Sequence, residues 1–228
     1  MKRIPRLHLI GPLDGLTAAE YADVAAAAAE GGVDGVHVRL PGAAADDVLA
    51  LARELRGRIG NAALIVNDRL DVALVAGADG AQLGERSLSV SDARGLLGDA
   101  LLIGRSVHDV EGARRTADDG ADYLLAGHVF DTISKAGTPG RGLDWLAEIA
   151  AAVDVPVIAI GGVTIERIPA VMETGAYGVA MGRELLRAAD PKAAAQATSA
   201  LGAHHMRPAS RRVSGSVAQT TTPCGGAT

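Results

Sequence analysis

The chain has 228 residues, a length that α/β barrels reach as one domain, and its net charge of −5 comes without a basic block before the C-terminal segment, which argues against nucleic-acid and membrane-surface partners. Apolar residues make up 48% but aromatics only 2%, so the core is built from small aliphatic side chains, and the single cysteine, Cys224, excludes a disulfide framework and a thiolate metal site. The apolar start is broken by Pro5, His8 and Pro12 and is too short for a signal peptide, and no long apolar run follows, so a cytoplasmic protein is expected.

Taken in chain order, short β-branched runs alternate with longer Ala/Leu-rich stretches of helical period. Strands are predicted at Leu7–Gly11, Gly35–Arg39, Ala63–Asn67, Gly80–Leu83, Leu101–Ser106, Tyr123–His128, Pro156–Gly161 and Gly178–Met181. Helices are predicted at Thr17–Glu30, Ala44–Arg58, Leu70–Ala76, Ser91–Gly95, Val110–Asp119, Leu143–Ala152, Ile165–Thr174 and Pro191–Leu201. The strands are nearly continuous apolar runs, as in parallel strands covered on both faces. Eight strands alternating with eight helices point to a (β/α)₈ TIM barrel over residues 1–202. Four helices end in a repeated phrase: Gly32-Val33-Asp34-Gly35, Gly77-Ala78-Asp79-Gly80, Gly120-Ala121-Asp122-Tyr123 and Gly175-Ala176-Tyr177-Gly178. Its glycine supplies a left-handed helix stop. Residues 203–228 lose apolar periodicity and read as a disordered tail, in which the pair His204-His205 lacks further metal ligands.

In a barrel the chemistry sits at the carboxyl ends of the strands. That rule selects Arg39, Asn67 with Asp68, Gln82 with Glu85, then Arg105, Ser106 and His108, then His128, Gly161-Gly162 and Gly182-Arg183. The turns after the last two strands are the recurring phosphate site of barrels, and paired glycines let backbone N–H groups approach an anion. Thr164 is a candidate cap for the helix that follows. His128 stands among apolar neighbours and is the candidate acid–base group, because an imidazole exchanges a proton near neutral pH. The polar stretch Asp131 to Gly142, with Lys135 and its Gly/Pro hinges, reads as an active-site lid. Asp68 is open to two readings, a metal ligand or a helix cap.

Several of these stretches resemble the thiamine phosphate synthase and thiazole tautomerase superfamily. They are Asn67-Asp68-Arg69-Leu70-Asp71-Val72-Ala73-Leu74, Gly77 to Gly84, Ile103-Gly104-Arg105-Ser106-Val107-His108, and Val157 to Thr164. The resemblance implies one of two activities. A thiamine phosphate synthase displaces diphosphate from a pyrimidine with the thiazole nitrogen, using Mg²⁺. A thiazole tautomerase aromatises a carboxylated thiazole phosphate. The synthase pattern Val-Gln-Leu-Arg-Glu-Lys stands here as Val36-His37-Val38-Arg39-Leu40-Pro41, which keeps the arginine and loses the lysine. The second Mg²⁺ carboxylate of the synthase falls on Ser87. The tautomerase pattern Gly-His-Val-Phe-Glu-Thr matches Gly127-His128-Val129-Phe130-Asp131-Thr132, whereas Asp68 keeps the synthase form.

On these residues the tautomerase is the expected activity, with His128 catalytic and no metal or cofactor. Arg39, Asn67, Arg105, Ser106, Lys135, Gly161, Gly162, Gly182 and Arg183 are then expected to hold the thiazole phosphate substrate. The alternatives are a synthase with Asp68 on Mg²⁺, or a non-catalytic thiazole phosphate binder. A homodimer without nucleic-acid or membrane partners is expected.

Overall fold

The computed structural model describes residues 3–204. Eight parallel strands close into a barrel in sequence order, β1 (Leu7–Leu9), β2 (Gly35–Val38), β3 (Ala63–Asn67), β4 (Gly80–Leu83), β5 (Leu102–Val107), β6 (Tyr123–Gly127), β7 (Val157–Ile160) and β8 (Gly178–Met181), with β8 pairing back to β1. The outer helices are α1 (Ala18–Glu30), α2 (Ala45–Arg56), α3 (Leu70–Val75), α4 (Val90–Leu97), α5 (Val110–Asp118), α6 (Gly142–Ala152), α7 (Ile168–Glu173), α8 (Arg183–Leu186) and α9 (Pro191–His204). The expected (β/α)₈ barrel is the observed fold. The last helix runs to His204, two residues into the stretch expected to be a tail, and residues 205–228 lie outside the described residues. No helix among the described residues is long and apolar enough to cross a membrane.

Strand parity sorts the side chains into two shells. Inside the barrel, Ile10, Ile65, Leu102, Tyr123, Leu125, Ile158 and Ala180 pack together. The alternate residues, such as Leu64, Val66, Ala81, Leu83, Ile103, Leu124 and Ala159, join the larger core between strands and helices. His8, His37 and Gln82 are the buried polar residues of the inner shell. Parity therefore places Asn67 and Ser106 inward too, in line with Ile65 and Leu102.

The repeated helix-ending phrase has a mechanical role. Its four leading glycines all adopt positive φ, at 112, 61, 90 and 90°. In three copies the aspartate reaches sideways to a strand. The Asp34 carboxylate accepts from the N–H groups of Arg6 and Leu7, Asp79 from Leu64, and Asp122 from Ile103. Each aspartate also pairs with an arginine, Arg3, Arg56 and Arg94 respectively. The fourth copy has Tyr177 instead, whose ring lies 4.0 Å from the Arg6 guanidinium. These clamps satisfy donors at the strand starts and fasten the amino end of the barrel.

One predicted helix divides and one short helix is new. The stretch Ile165–Thr174 divides into a 3₁₀ turn at Ile165–Arg167 and α7, because Pro169 lacks the N–H that a continuous helix needs. The short α8 after β8 was not predicted; four residues carry too little periodicity to register.

Candidate active site

The mouth at the carboxyl ends of the strands gathers most of the expected site residues, each placed by the strand that carries it. Arg39 leaves β2 half-buried, and no hydrogen bond or ion pair to the described residues holds its guanidinium. It lies close enough to His37 for its charge to disfavour a second charge there. Asn67 ends β3, and its Oδ1 lies 2.9 Å from His37 Nδ1. Ser106 accepts from the Gln82 amide at 3.2 Å, so the carboxamide of β4 and the hydroxyl of β5 form one polar floor. Gly104 makes room beneath it, since a Cβ there would stand 2.2 Å from Tyr123 Cζ and 2.3 Å from Gln82 Oε1.

Asp68 does not cap a helix. Arg69 occupies the cap position of α3, and the Asp68 carboxylate turns across to the β4–α4 connection. There it accepts from Gly84 N–H at 2.9 Å and, at the same Oδ1, from the Ser87 hydroxyl. Its backbone is left-handed, φ 61°, a conformation that aspartate tolerates better than most residues. Among the described residues Oδ2 has no hydrogen-bond partner and is left for a further one. Among the described residues no group of three or more His, Cys, Asp or Glu clusters as a metal cage. The donor set at this position is thus one carboxylate beside one hydroxyl, enough for an ion that takes its remaining ligands from substrate phosphates and water.

Arg105 is a correction. It lies within β5 two residues after the outward-packed Ile103, so parity points the side chain outward, and the guanidinium donates to the Leu88 carbonyl at 2.7 Å. Its neighbour His108 bridges two elements: Nδ1 lies 2.7 Å from the Gly127 carbonyl and Nε2 lies 2.7 Å from the Glu85 carboxylate. That bridge fixes the end of β6, immediately before His128.

His128 is half-buried, and its Nε2 lies 3.2 Å from the Thr138 carbonyl. Gly161 lies against it, and a Cβ at Gly161 would stand 2.3 Å from His128 Cβ. Gly162 packs in the same way on Phe130 and Asp131. Both glycines have positive φ, 98 and 65°, so the paired glycines meet a backbone demand as well as any ligand demand. Thr164 stands at the start of the following 3₁₀ turn without a capping bond from its side chain. After β8, Gly182 holds the cap position of α8, while the Arg183 guanidinium turns to Asp14 at 3.5 Å. Asp14 also bonds Arg187 at 3.0 Å, and that guanidinium, with Arg183, holds the Asp14 carboxyl below the usual carboxylate range.

The loop after β6 is pinned at its base. Gly140 N–H donates to Asp131 Oδ1 at 2.7 Å, Arg141 N–H to the His128 carbonyl at 3.1 Å, and Gly142 N–H to the Val129 carbonyl at 2.9 Å. Lys135 sits exposed in the free part of this loop. A cavity of about 510 Å³ at the opposite end is lined by Arg3, Asp34, Arg56 and Asp79, whose charges already pair with each other.

Sequence reasoning passed over two residues. His8 registered only as a break in the apolar N-terminus, although the alternation in Leu7-His8-Leu9 signals that it faces inward, opposite its neighbours. Asp14 lies in an irregular loop, where no periodicity announces a partner 169 residues away.

Comparison with known proteins places this geometry. The model of the thiamine monophosphate synthase family matches residues 10–185. A thiamine-phosphate synthase of Anaeromyxobacter dehalogenans (strain 2CP-C) is 45% identical over 173 residues, 75% of this chain and 78% of that protein. One from Haloarcula marismortui is 44% identical over 181 residues, 77% of this chain and 86% of that protein. Among solved structures, the thiamine phosphate pyrophosphorylase from Pyrococcus furiosus is similar with a TM-score of 0.80 at 30% identity, covering 89% of this chain and 97% of that one. A 3-hexulose-6-phosphate synthase, 22% identical with a TM-score of 0.69 over 86% of this chain and 99% of that one, shares the fold alone. With the match spanning all of the barrel but its first strand and its last helix, the chain belongs to the thiamine monophosphate synthase family.

Proposed function

We propose that the protein is a thiamine-phosphate synthase. The reaction joins the thiazole nitrogen of a thiazole phosphate to the methylene carbon of a pyrimidine diphosphate. The C–N bond forms as the C–O bond to diphosphate breaks, and the electron pair leaves with the diphosphate. The observation that carries this reading is the 45% and 44% identity to relatives of that name, each covering about three quarters of the chain. It moves the enzyme class from the isomerase expected on local motifs to a transferase.

The residues at the mouth have parts to play in that chemistry. Arg39 and Lys135 would neutralise the departing diphosphate, where cationic donors matter most. Asp68, steadied by Gly84 N–H and the Ser87 hydroxyl, would hold Mg²⁺ together with the substrate's phosphate oxygens. That ion, when bound, would supply further positive charge against the leaving group. Backbone N–H groups at Gly162, Gly182 and Arg183 would hold the thiazole phosphate. Asn67, Gln82 and Ser106 form the polar floor on which the heterocycle would rest.

A thiazole tautomerase is the second reading, and His128 is what favours it. The imidazole lies beside Gly161, at the proposed phosphate turn, while Pro41 and Ser87 stand where the synthase pattern has a lysine and an aspartate. In that reaction His128 would take a proton from the ring carbon bearing the carboxylate and return one to the exocyclic carbon, a role for which acid–base catalysis contributes about 10²–10⁴-fold.

One experiment separates the readings. Purified protein is given pyrimidine diphosphate and thiazole phosphate with Mg²⁺, and thiamine phosphate is followed by chromatography. In parallel, the non-aromatic thiazole tautomer is given in EDTA and aromatisation is followed by ultraviolet absorbance. Thiamine phosphate that vanishes with EDTA and with Asp68→Ala supports the synthase. Aromatisation in EDTA that is lost in His128→Asn, without thiamine phosphate in the first arm, overturns it for the tautomerase. Silence in both arms leaves a binder of thiazole phosphate.

A further inference from the structure

A line of three side chains crosses the inside of the barrel below the mouth. His8 Nε2 lies 3.0 Å from the Pro5 carbonyl, His8 Nδ1 lies 3.0 Å from His37 Nε2, and His37 Nδ1 lies 2.9 Å from the Asn67 carboxamide. Both rings are fully buried. Proton bookkeeping along this line leaves little freedom. The Pro5 carbonyl only accepts, so His8 carries its proton on Nε2. A neutral His8 then offers a lone pair at Nδ1, and His37 must donate from Nε2. A neutral His37 in turn has a lone pair at Nδ1. Facing that lone pair, a carboxamide oxygen makes no bond, whereas the amide NH₂ does. A half-turn about the Asn67 Cβ–Cγ bond exchanges the two amide atoms and leaves the heavy-atom positions in place.

The other arrangement, with Oδ1 against His37, needs three protons on two rings and therefore a buried positive charge. Burial disfavours that charge and holds His8 at about 4 and His37 at about 3. The charged groups around the pair do not reverse this. Asp34, before β2, favours a charge on His8, and Arg39, above the pair, opposes one on His37. On the β6 side, His8 meets the Tyr123 ring at 5.4 Å.

We propose that His8 and His37 are positioning residues that lock the Asn67 carboxamide with its NH₂ toward His37 and its oxygen toward the mouth. The site thereby presents a hydrogen-bond acceptor at the end of β3 and selects a substrate with an N–H or O–H donor at that point. The inference does not rest on the synthase reading, because either reaction would use the same floor.

The test reads protons directly and requires no turnover. In ¹⁵N-labelled protein at pH 7.5, long-range ¹H–¹⁵N correlation should show both rings as Nε2–H tautomers. Couplings across hydrogen bonds should link His37 Nε2 with His8 Nδ1, and Asn67 Nδ2 with His37 Nδ1. A proton on His37 Nδ1 at that pH overturns the proposal. Two variants check the direction of control. In His8→Gln the carboxamide can accept from His37 and donate to Pro5, so the Asn67–His37 coupling should persist. In His8→Phe, which fills the space without an acceptor, that coupling should be lost while Asn67 remains in a folded barrel by circular dichroism. A coupling that survives in a folded His8→Phe protein shows that something else orients Asn67, and overturns the relay.

Discussion

His8 and His37 have a measurable consequence for stability apart from any role in binding. Both bind their proton far more weakly in the folded protein, at about 4 and about 3, than at the ordinary histidine value of 6.5. Between those values and 6.5 the unfolded chain takes up protons that the folded chain refuses, so folding weakens as the pH falls through that window. Each pH unit crossed costs on the order of 1 kcal/mol per ring. Urea denaturation at pH 7.5 and pH 5 should therefore show a loss of a few kcal/mol at the lower pH, much of it absent in His8→Phe. At this scale the sequence was legible where two-residue alternation along a strand sets the direction of a side chain. Asn67, Ser106 and Arg39 land where parity puts them. Arg105 is the exception to its expected place at the rim: it already lay inside the predicted strand Leu101–Ser106, and two-residue alternation from Ile103 turns it outward. The partners of Asp68 and Asp14 were not legible. Both depend on where loops distant in sequence return in space.

The elements were easier to read than their joints. Ala63–Asn67, Gly80–Leu83 and Gly178–Met181 have the predicted bounds: glycines stand at both ends of the last two, and the polar Asn67-Asp68 closes the apolar run of the first. The start of α1 was equally plain: Thr17 accepts from Glu20 N–H at 3.2 Å, while the Glu20 carboxylate accepts from Thr17 N–H at 2.7 Å. The repeated Gly-x-Asp phrase was recognised as a helix stop, but its second use, tying each turn to a strand, shows only in three dimensions. Asp34 is the clearest case, because two backbone N–H groups share its Oδ1 at 2.8 Å. Asp34→Ala should lower stability by about 2–4 kcal/mol, from two donors left without that partner. Asp34→Asn, which keeps an acceptor oxygen, should recover a large part. Thermal unfolding followed by the fluorescence of Trp145, the single tryptophan, measures both.

The whole molecule separates its two tasks by end. The amino end carries the clamps of Asp34, Asp79 and Asp122, and the carboxyl end carries Arg39, Asp68, Ser106, His128 and the glycine turns. Closure of the ring is completed outside the strands. Gly31 and Gly32 at the end of α1 let α9 approach closely, and a Cβ at Gly31 would stand 2.3 Å from the Lys192 carbonyl. Lys192 then pairs with Glu30 at 2.9 Å.

The chain holds three lysines, Lys2, Lys135 and Lys192. Lys192 lies in the first turn of α9, whereas Lys135 is exposed in a loop whose two ends are already joined below it. A lysine-specific endoprotease should therefore nick the chain after Lys135 first, giving two pieces that mass spectrometry identifies. Because β6 and β7 stay hydrogen-bonded beneath the cut, the pieces should remain one particle in gel filtration with an unchanged far-ultraviolet spectrum. Turnover should fall with the extent of nicking. A barrel severed at this loop would thus behave as a folded protein in two chains, with half-molecules that can be exchanged and separately labelled.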